Sequence, residues 1–170
     1  GRLWNVLPAL PASVGLDAAG VVAEVGPEAR NVAVGDRVYV NPLLSCSTCH
    51  YCHYETPMLC SQAALQGYFG FNADSKPLLE AYPYGGFGEY MTAEPNRLVK
   101  LPERVSFNQA ARFGYLGTSF SGLRFGGVNA GTWLGINGVT GTLGVGATLL
   151  ALALLLAGVA AMLLGFVTSF

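Results

Sequence analysis

Charged residues are scarce in this chain, and past one point they stop. Asp, Glu, Lys and Arg make up 11% of its 170 residues, with a formal net charge of −1. No run of like charges occurs, so there is no basic stripe on which nucleic acid could be held. The last charged residue is Arg124, and the 46 residues from Phe125 to Phe170 carry none. Cysteine is absent everywhere except between positions 46 and 60, which excludes a disulfide framework spread over the chain. No charged-then-apolar leader opens the sequence, so no signal peptide is expected. Reduced thiols then place the protein in the cytoplasm.

What is present is concentrated. Cys46, Cys49, Cys52 and Cys60 follow the pattern C-x2-C-x2-C-x7-C. Four soft ligands from one loop suit a closed, tetrahedral, structural zinc site, which leaves no position open for water. Disulfides are the alternative, but two-residue spacings fit poorly with the Cα separation they require. An iron–sulfur cluster is the sharper rival. The bacterial run, however, closes after three residues with Cys-Pro, whereas seven residues precede Cys60 here. His50 and His53 lie inside the loop and read as solvated residues, because four cysteines already fill a tetrahedron.

Along the chain, Ala19–Val25 is rich in β-branched residues and ends at the turn pair Gly26-Pro27, so it reads as a strand. Arg37–Val40, Gly85–Met91 and Arg97–Lys100 read as further short strands of a glycine-punctuated β domain. Ser106 and Gln109 form a capping box that predicts a helix to about Phe113. Gly126-Gly127 and Asn129–Gly131 mark a linker, which divides the chain into domains 1–127 and 128–170. Thr132–Asn137 then reads as an apolar strand. The glycine-rich segment 138–146 follows, and a helical apolar run begins at Ala147. Strand, glycine turn and helix open a dinucleotide-binding unit. In that reading Gly138, Thr140, Gly141, Leu143, Gly144 and Val145 meet the cofactor. Gly141 lets the backbone approach the pyrophosphate, Gly144 gives close helix–strand packing, and the helix N-terminus stabilises phosphate.

Together these pieces resemble the medium-chain, zinc-type alcohol dehydrogenase family. The residues that carry the resemblance are Gly15-Leu-Asp-Ala-Ala-Gly20, Val25-Gly-Pro27, Gly35-Asp-Arg-Val38, the cysteine lobe at about 43–62, Gly85-Gly-Phe-Gly-Glu-Tyr90 and the glycine loop. The resemblance implies a mixed β and α/β architecture: a GroES-like β domain with the zinc lobe, then the start of a Rossmann domain that binds NAD or NADP. It also implies hydride transfer between nicotinamide and a small-molecule alcohol, carbonyl or activated alkene, and the possibility of a homo-oligomer.

The sequence departs from that family in two places. The family's catalytic-zinc histidine, in its Gly-His-Glu motif, falls on Leu16, and the motif's glutamate falls on Asp17. The third ligand falls near Gly114. Neither Leu16 nor Gly114 can coordinate a metal, and no cysteine or acid stands in Ala111–Thr118, so a catalytic zinc is expected to be absent. Polarisation of a carbonyl then falls to hydrogen-bond donors and a general acid, for which Asp17, Tyr115 and Thr118 are the candidates. Each has a plainer role open to it: Asp17 as a turn residue, Tyr115 in the core, Thr118 as a cap. The aromatic residues of Tyr68–Phe71 and Tyr82–Tyr84 could wall a substrate pocket, or else pack around the zinc lobe. The second departure is the tail. No acid follows the glycine loop to hold a ribose hydroxyl, and Ala147–Phe170 is long and apolar enough to read as a membrane span. A fragment or a shifted reading frame accounts for this better than an anchor, because an anchor would leave a half-built sheet uncovered. An inactive zinc-stapled module and a membrane-tethered one are the alternative readings.

Overall fold

The computed structural model describes residues 6–27, 29–129 and 131–167, with side chains in the last helix described through Leu154. The chain forms two compact units, Gly1–Ala111 and Arg112–Phe170. The division falls before the glycine-marked linker, because the helix that follows Arg112 packs on the C-terminal helix.

In the first unit a three-stranded antiparallel sheet has the order β1 (Ala18–Val21), β2 (Arg37–Val40), β5 (Leu98–Lys100). Ala18 faces Val40, Val21 faces Arg37, and Tyr39 faces Val99. The central strand is the apolar one, and Val38, Tyr39 and Val40 are all buried. Beside them Val22, Val32, Leu101 and Ala110 complete a small core. β1 ends sooner than its β-branched sequence suggests. Val22 donates to Asp36 and accepts from Gly35, whose φ of 91° turns the chain away.

A second pair of strands, β3 (Leu43–Leu44) and β4 (Ala64–Leu65), forms the stem of the cysteine lobe. Leu44, Ala64 and Leu79 are its buried core, with Leu78 and Tyr82 packed against them. Leu78 and Leu79 arrive on α2 (Lys76–Ala81), a helix the sequence reading did not anticipate. A 3-10 turn at Ala73–Ser75 feeds that helix. Its capping box joins Asn72 and Ser75, and the Ser75 hydroxyl donates to the Ala63 carbonyl at 2.6 Å. The aromatic residues therefore divide. Tyr82 packs on the stem, while Tyr68 and Phe71 stack on Phe69 and stay half exposed.

Gly85–Met91 is not a strand. Gly85, Gly86 and Phe87 donate to the carbonyls of Ser13, Gly15 and Val14, in a turn that crosses under Ser13–Gly15. Glycine makes the crossing possible. A Cβ on Gly85 would lie 2.6 Å from the Gly67 Cα, and one on Gly67, at φ 72°, would collide with the Gly15 carbonyl.

The capping box at Ser106 forms as read. Its hydroxyl accepts from the Gln109 amide at 3.2 Å, and Gln109 Oε1 accepts from the Ser106 amide at 2.9 Å. The helix it opens, α3 (Phe107–Ala110), is short and breaks before α4 (Phe113–Phe125). Three glycines in α4 masked it in the sequence, since each costs about 1 kcal/mol of helix propensity. Packing against α5 (Thr142–Val167) outweighs that cost. The Ser119 hydroxyl donates to the Leu143 carbonyl at 2.9 Å, and Gly146 lies against Ser119 and Leu116.

Thr132–Asn137, expected as a strand, has no regular structure, and Trp133 is fully exposed. A strand needs a neighbour to satisfy its ladder groups, and among the described residues none runs beside this one. α5 starts at Thr142, ahead of the expected Ala147. Among the described residues no helix is long and apolar enough to cross a membrane. The side chains beyond Leu154 on which the anchor reading rests lie outside the described residues.

Two expectations follow. Gly67→Ala combines a left-handed backbone with a backbone collision, and should cost on the order of 3 kcal/mol, read as a lowered urea midpoint. The Asp36 carboxylate is held below its ordinary range by the Lys100 ammonium at 2.7 Å and by the Ala33 amide at 2.8 Å. A carboxylate with a depressed folded pKa stabilises above its unfolded value of about 4, and that contribution is lost as pH falls through the folded pKa. Asp36→Asn should therefore lower the thermal midpoint at pH 6 and have little effect at pH 2; equal losses at both would contradict this.

Candidate metal centre

The cysteine lobe runs from β3, through a knuckle at Cys46–Cys49, to α1 (His50–Tyr54). It returns through a 3-10 turn at Pro57–Leu59 to Cys60 and β4. The knuckle closes through Ser47, the one non-glycine residue with positive φ (58°) among those described. That geometry costs a side-chain-bearing residue about 1 kcal/mol and turns Cys46 and Cys49 toward the same point. Helix α1, with Cys49 as its N-cap, brings round Cys52, and Pro57 starts the turn that delivers Cys60.

All four sulfurs lie within 4.8 Å of one another. The Cys49–Cys52 separation is 3.5 Å and the Cys46–Cys52 separation 3.9 Å. Sulfurs about 2.3 Å from a tetrahedral zinc stand about 3.8 Å apart, so the cage has the size of this metal. These separations are far too long for an S–S bond, and all four cysteines are free thiols.

The surroundings suit thiolate as well. The amides of Cys46 and Gln62 donate to Cys60 Sγ at 3.5 and 3.4 Å, and the Thr48 hydroxyl donates to Cys46 Sγ at 3.6 Å. The Thr48 amide and hydroxyl bring Cys46 down to about 6. At Cys49 the Cys52 amide also lowers the pKa, but desolvation and the hydrogen bonds of the other thiols outweigh it, and the group is pushed up to about 11. Four crowded sulfurs without a cation keep protons between them; a divalent cation takes the protons' place. These second-layer donors were not picked out from sequence, although small polar residues between the ligands were the available signal. His50 stays outside the cage, 3.2 Å from Glu55 at the surface.

None of the residues proposed for catalysis belongs to the cage. Asp17 follows the Gly15 crossing, half-buried, and its charge adds to burial in raising Tyr39 to about 12. Tyr115 and Thr118 belong to the second unit and share one face of α4 as an i, i+3 pair. The Thr118 hydroxyl donates to the Gly114 carbonyl at 3.0 Å within the helix, so this site has a hydrogen-bonded hydroxyl and no metal ligand.

In the glycine loop Gly138 has φ 77°, and its carbonyl accepts from the Gly141 amide at 3.1 Å. Gly144 is buried against this turn, where a Cβ would lie 2.8 Å from the Gly138 carbonyl carbon. Its small size serves loop packing, not the helix–strand contact expected of it; helix packing is the part of Gly146. Thr140, Gly141, Leu143 and Val145 ring the start of α5 and are exposed.

The model of the alcohol dehydrogenase GroES-like domain matches residues 2–103. The chain belongs to the medium-chain, zinc-type alcohol dehydrogenase family. It is 36% identical over 140 residues to an alcohol dehydrogenase of Geobacillus stearothermophilus, covering 81% of this chain and 38% of that protein. To the probable formaldehyde dehydrogenase AdhA of Bacillus subtilis it is 31% identical over 139 residues, again 81% and 38%. Among solved structures, CAD from Helicobacter pylori complexed with NADP(H) aligns with TM-score 0.73 at 26% identity, over 87% of this chain and 42% of that one. The cobalt- and zinc-bound alcohol dehydrogenase of Pyrobaculum aerophilum aligns with TM-score 0.72 at 26% identity, over 87% and 41%. The chain thus spans less than half the length of these relatives. Its mixed architecture, with a GroES-like domain and a four-cysteine lobe, is that of the family.

One zinc per chain is the expected content. Cys60→Ser replaces the buried ligand and should reduce bound zinc to below about a tenth of it, in keeping with closed four-ligand sites. Elemental analysis after dialysis decides this, and an unchanged zinc content in the variant would rule out the cage.

Proposed function

We propose that this chain supplies the metal-stapled GroES-like part, and the opening of the nucleotide-binding part, of an NAD(P)-dependent oxidoreductase. The reaction is hydride transfer between nicotinamide and a small alcohol or carbonyl compound, or an activated alkene. The observation that carries this reading is the family match over residues 2–103 together with a complete four-thiol cage. The glycine turn leading into the N-terminus of α5 supports the nucleotide-binding part, because amides there face anionic phosphate in such units. Gly138, Thr140, Gly141, Leu143, Gly144 and Val145 would line it.

In this reading the zinc held by Cys46, Cys49, Cys52 and Cys60 is structural, and chemistry proceeds without a catalytic zinc. Two features support that: Leu16 and Gly114 stand at positions where zinc-dependent relatives have ligands, and neither side chain can coordinate a metal. Asp17, Tyr115 and Thr118 would then polarise the carbonyl oxygen and handle its proton. Thr118 would turn its hydroxyl from the Gly114 carbonyl to the substrate. The protein would work in the cytoplasm, with homo-oligomers as in its family.

Trp133 stands fully exposed shortly before the glycine turn, which makes it a reporter. Titration with NADH and NADPH should quench its fluorescence saturably by energy transfer. Gly144→Val, which drives a side chain into the Gly138 turn, should abolish that quenching while leaving zinc content unchanged. A folded, zinc-loaded chain that shows no saturable quenching with either nucleotide would overturn the nucleotide-binding part of this reading.

A further inference from the structure

Arg97 lies outside the cysteine lobe but is only 6% exposed. Its Nε donates to the Asn41 carbonyl at 3.0 Å, and its Nη2 donates to Gln66 Oε1 at 2.5 Å. Gln66, 1% exposed, passes the connection on: its Nε2 donates to the carbonyls of Tyr84 at 2.8 Å and Thr92 at 2.9 Å. The backbone repeats the arrangement, with the Asn41 amide on the Arg97 carbonyl and the Gln66 amide on the Pro42 carbonyl, both at 2.9 Å.

The bonds made by Arg97 reach the two roots of the lobe, and those of Gln66 tie its root to the Tyr84 and Thr92 carbonyls. Asn41 and Pro42 immediately precede β3, the arm that runs out to Cys46. Gln66 immediately follows β4, the arm that returns from Cys60. Each arm is two residues long, with two paired positions between them, and a two-stranded ribbon of that length is not stable by itself. Something else must keep the roots together. We infer that the buried Arg97–Gln66 pair is a clasp on the stem of the cysteine lobe, and that it positions Cys46 and Cys60 for the metal.

Two further observations favour a positioning role over a purely stabilising one. Arg97 Nη1 is buried without a hydrogen-bond partner. Burying a guanidinium with an unsatisfied nitrogen is costly, and an apolar side chain would often be the more stable occupant. An arginine serves here because its fork reaches both roots at once, which a lysine cannot do. The second observation is that the side-chain bonds of Arg97 go to residues at the lobe's roots, Asn41 and Gln66. Arg37, also multidentate, holds the carbonyls of Pro102, Glu103 and Val105 and stacks on Phe107, none of them a residue of the lobe.

This inference rests on the cage holding zinc, and its test separates the two. The full chain is loaded with zinc and its metal content measured. It is then mixed with excess 4-(2-pyridylazo)resorcinol, which colours as zinc is released. Arg97→Lys and Gln66→Leu should each bind one zinc and release it about tenfold faster than the native chain, the scale of outer-layer effects at metal sites. Arg37→Lys should lower the thermal midpoint without changing the release rate. Unchanged rates in the clasp variants, or an equal acceleration in Arg37→Lys, would overturn the clasp while leaving the metal centre standing. A native chain that takes up no zinc would sink the metal centre and the clasp with it. A measurement on the native chain alone covers variants that fail to fold. Because coupling is reciprocal, chelation of zinc should speed amide hydrogen exchange at Asn41 and Gln66 while Val38–Val40 stay protected. Unchanged exchange at the roots would also overturn the clasp.

Discussion

Four sulfur atoms within 4.8 Å of each other are the constraint on which the first unit depends. A lobe of this kind has little else to fold around. No residue of α1 is buried, and the apolar core of the stem is Leu44, Ala64 and Leu79. That core is too small to repay the ordering of some twenty residues, each of which costs about 1–2 kcal/mol of backbone entropy. Small folds in this position rely on a metal. The knuckle shows the same priority: Ser47 accepts an unfavourable left-handed backbone so that two sulfurs can converge.

The rest of the unit is arranged so that this lobe leaves from a firm base. The motif Gly35-Asp-Arg-Val38 is a construction element, not a reacting one. Gly35 turns the chain, Asp36 accepts from Ala33 and pairs with Lys100, and Arg37 collects three carbonyls of the segment leading to α3. Gly15, Gly67 and Gly85 let three backbone segments cross at distances that no side chain would permit. That crossing fixes the position of Leu16 and Asp17. The backbone leading to Asp17 is held by glycines contributed from far along the chain.

The sequence made local features legible and left contact-dependent ones hidden. The cysteine spacing predicted the cage, because all four ligands lie in one loop and spacing alone brings them together. Arg37–Val40 and the Ser106 capping box were readable for the same reason: their signals are complete within a few residues. Gly85–Met91 failed as a strand because its glycines serve a crossing with residues seventy positions away. Helix α4 was missed because its stability comes from α5, against the propensity of its own glycines. Thr132–Asn137 has a strand's composition, but no described segment offers it a ladder. The Arg97–Gln66 pair had no signature in sequence at all, since a buried arginine looks there like any surface one.

The same distinction bears on how the two metal requirements of this family can part company. A structural site built from one short loop needs only its own spacing and a closed stem. A catalytic site draws its ligands from segments far apart in sequence, so replacing any one of them empties it without disturbing the lobe. On the reading proposed above, Leu16 occupies such a position, on a backbone that the glycine crossing holds in place, and Tyr39 feels the charge of Asp17. On that reading the scaffold that would present a ligand is retained where the ligand itself is not. On the reading proposed here, the polarising role passes from a cation to side-chain donors. Those donors would act at full strength only where water is excluded.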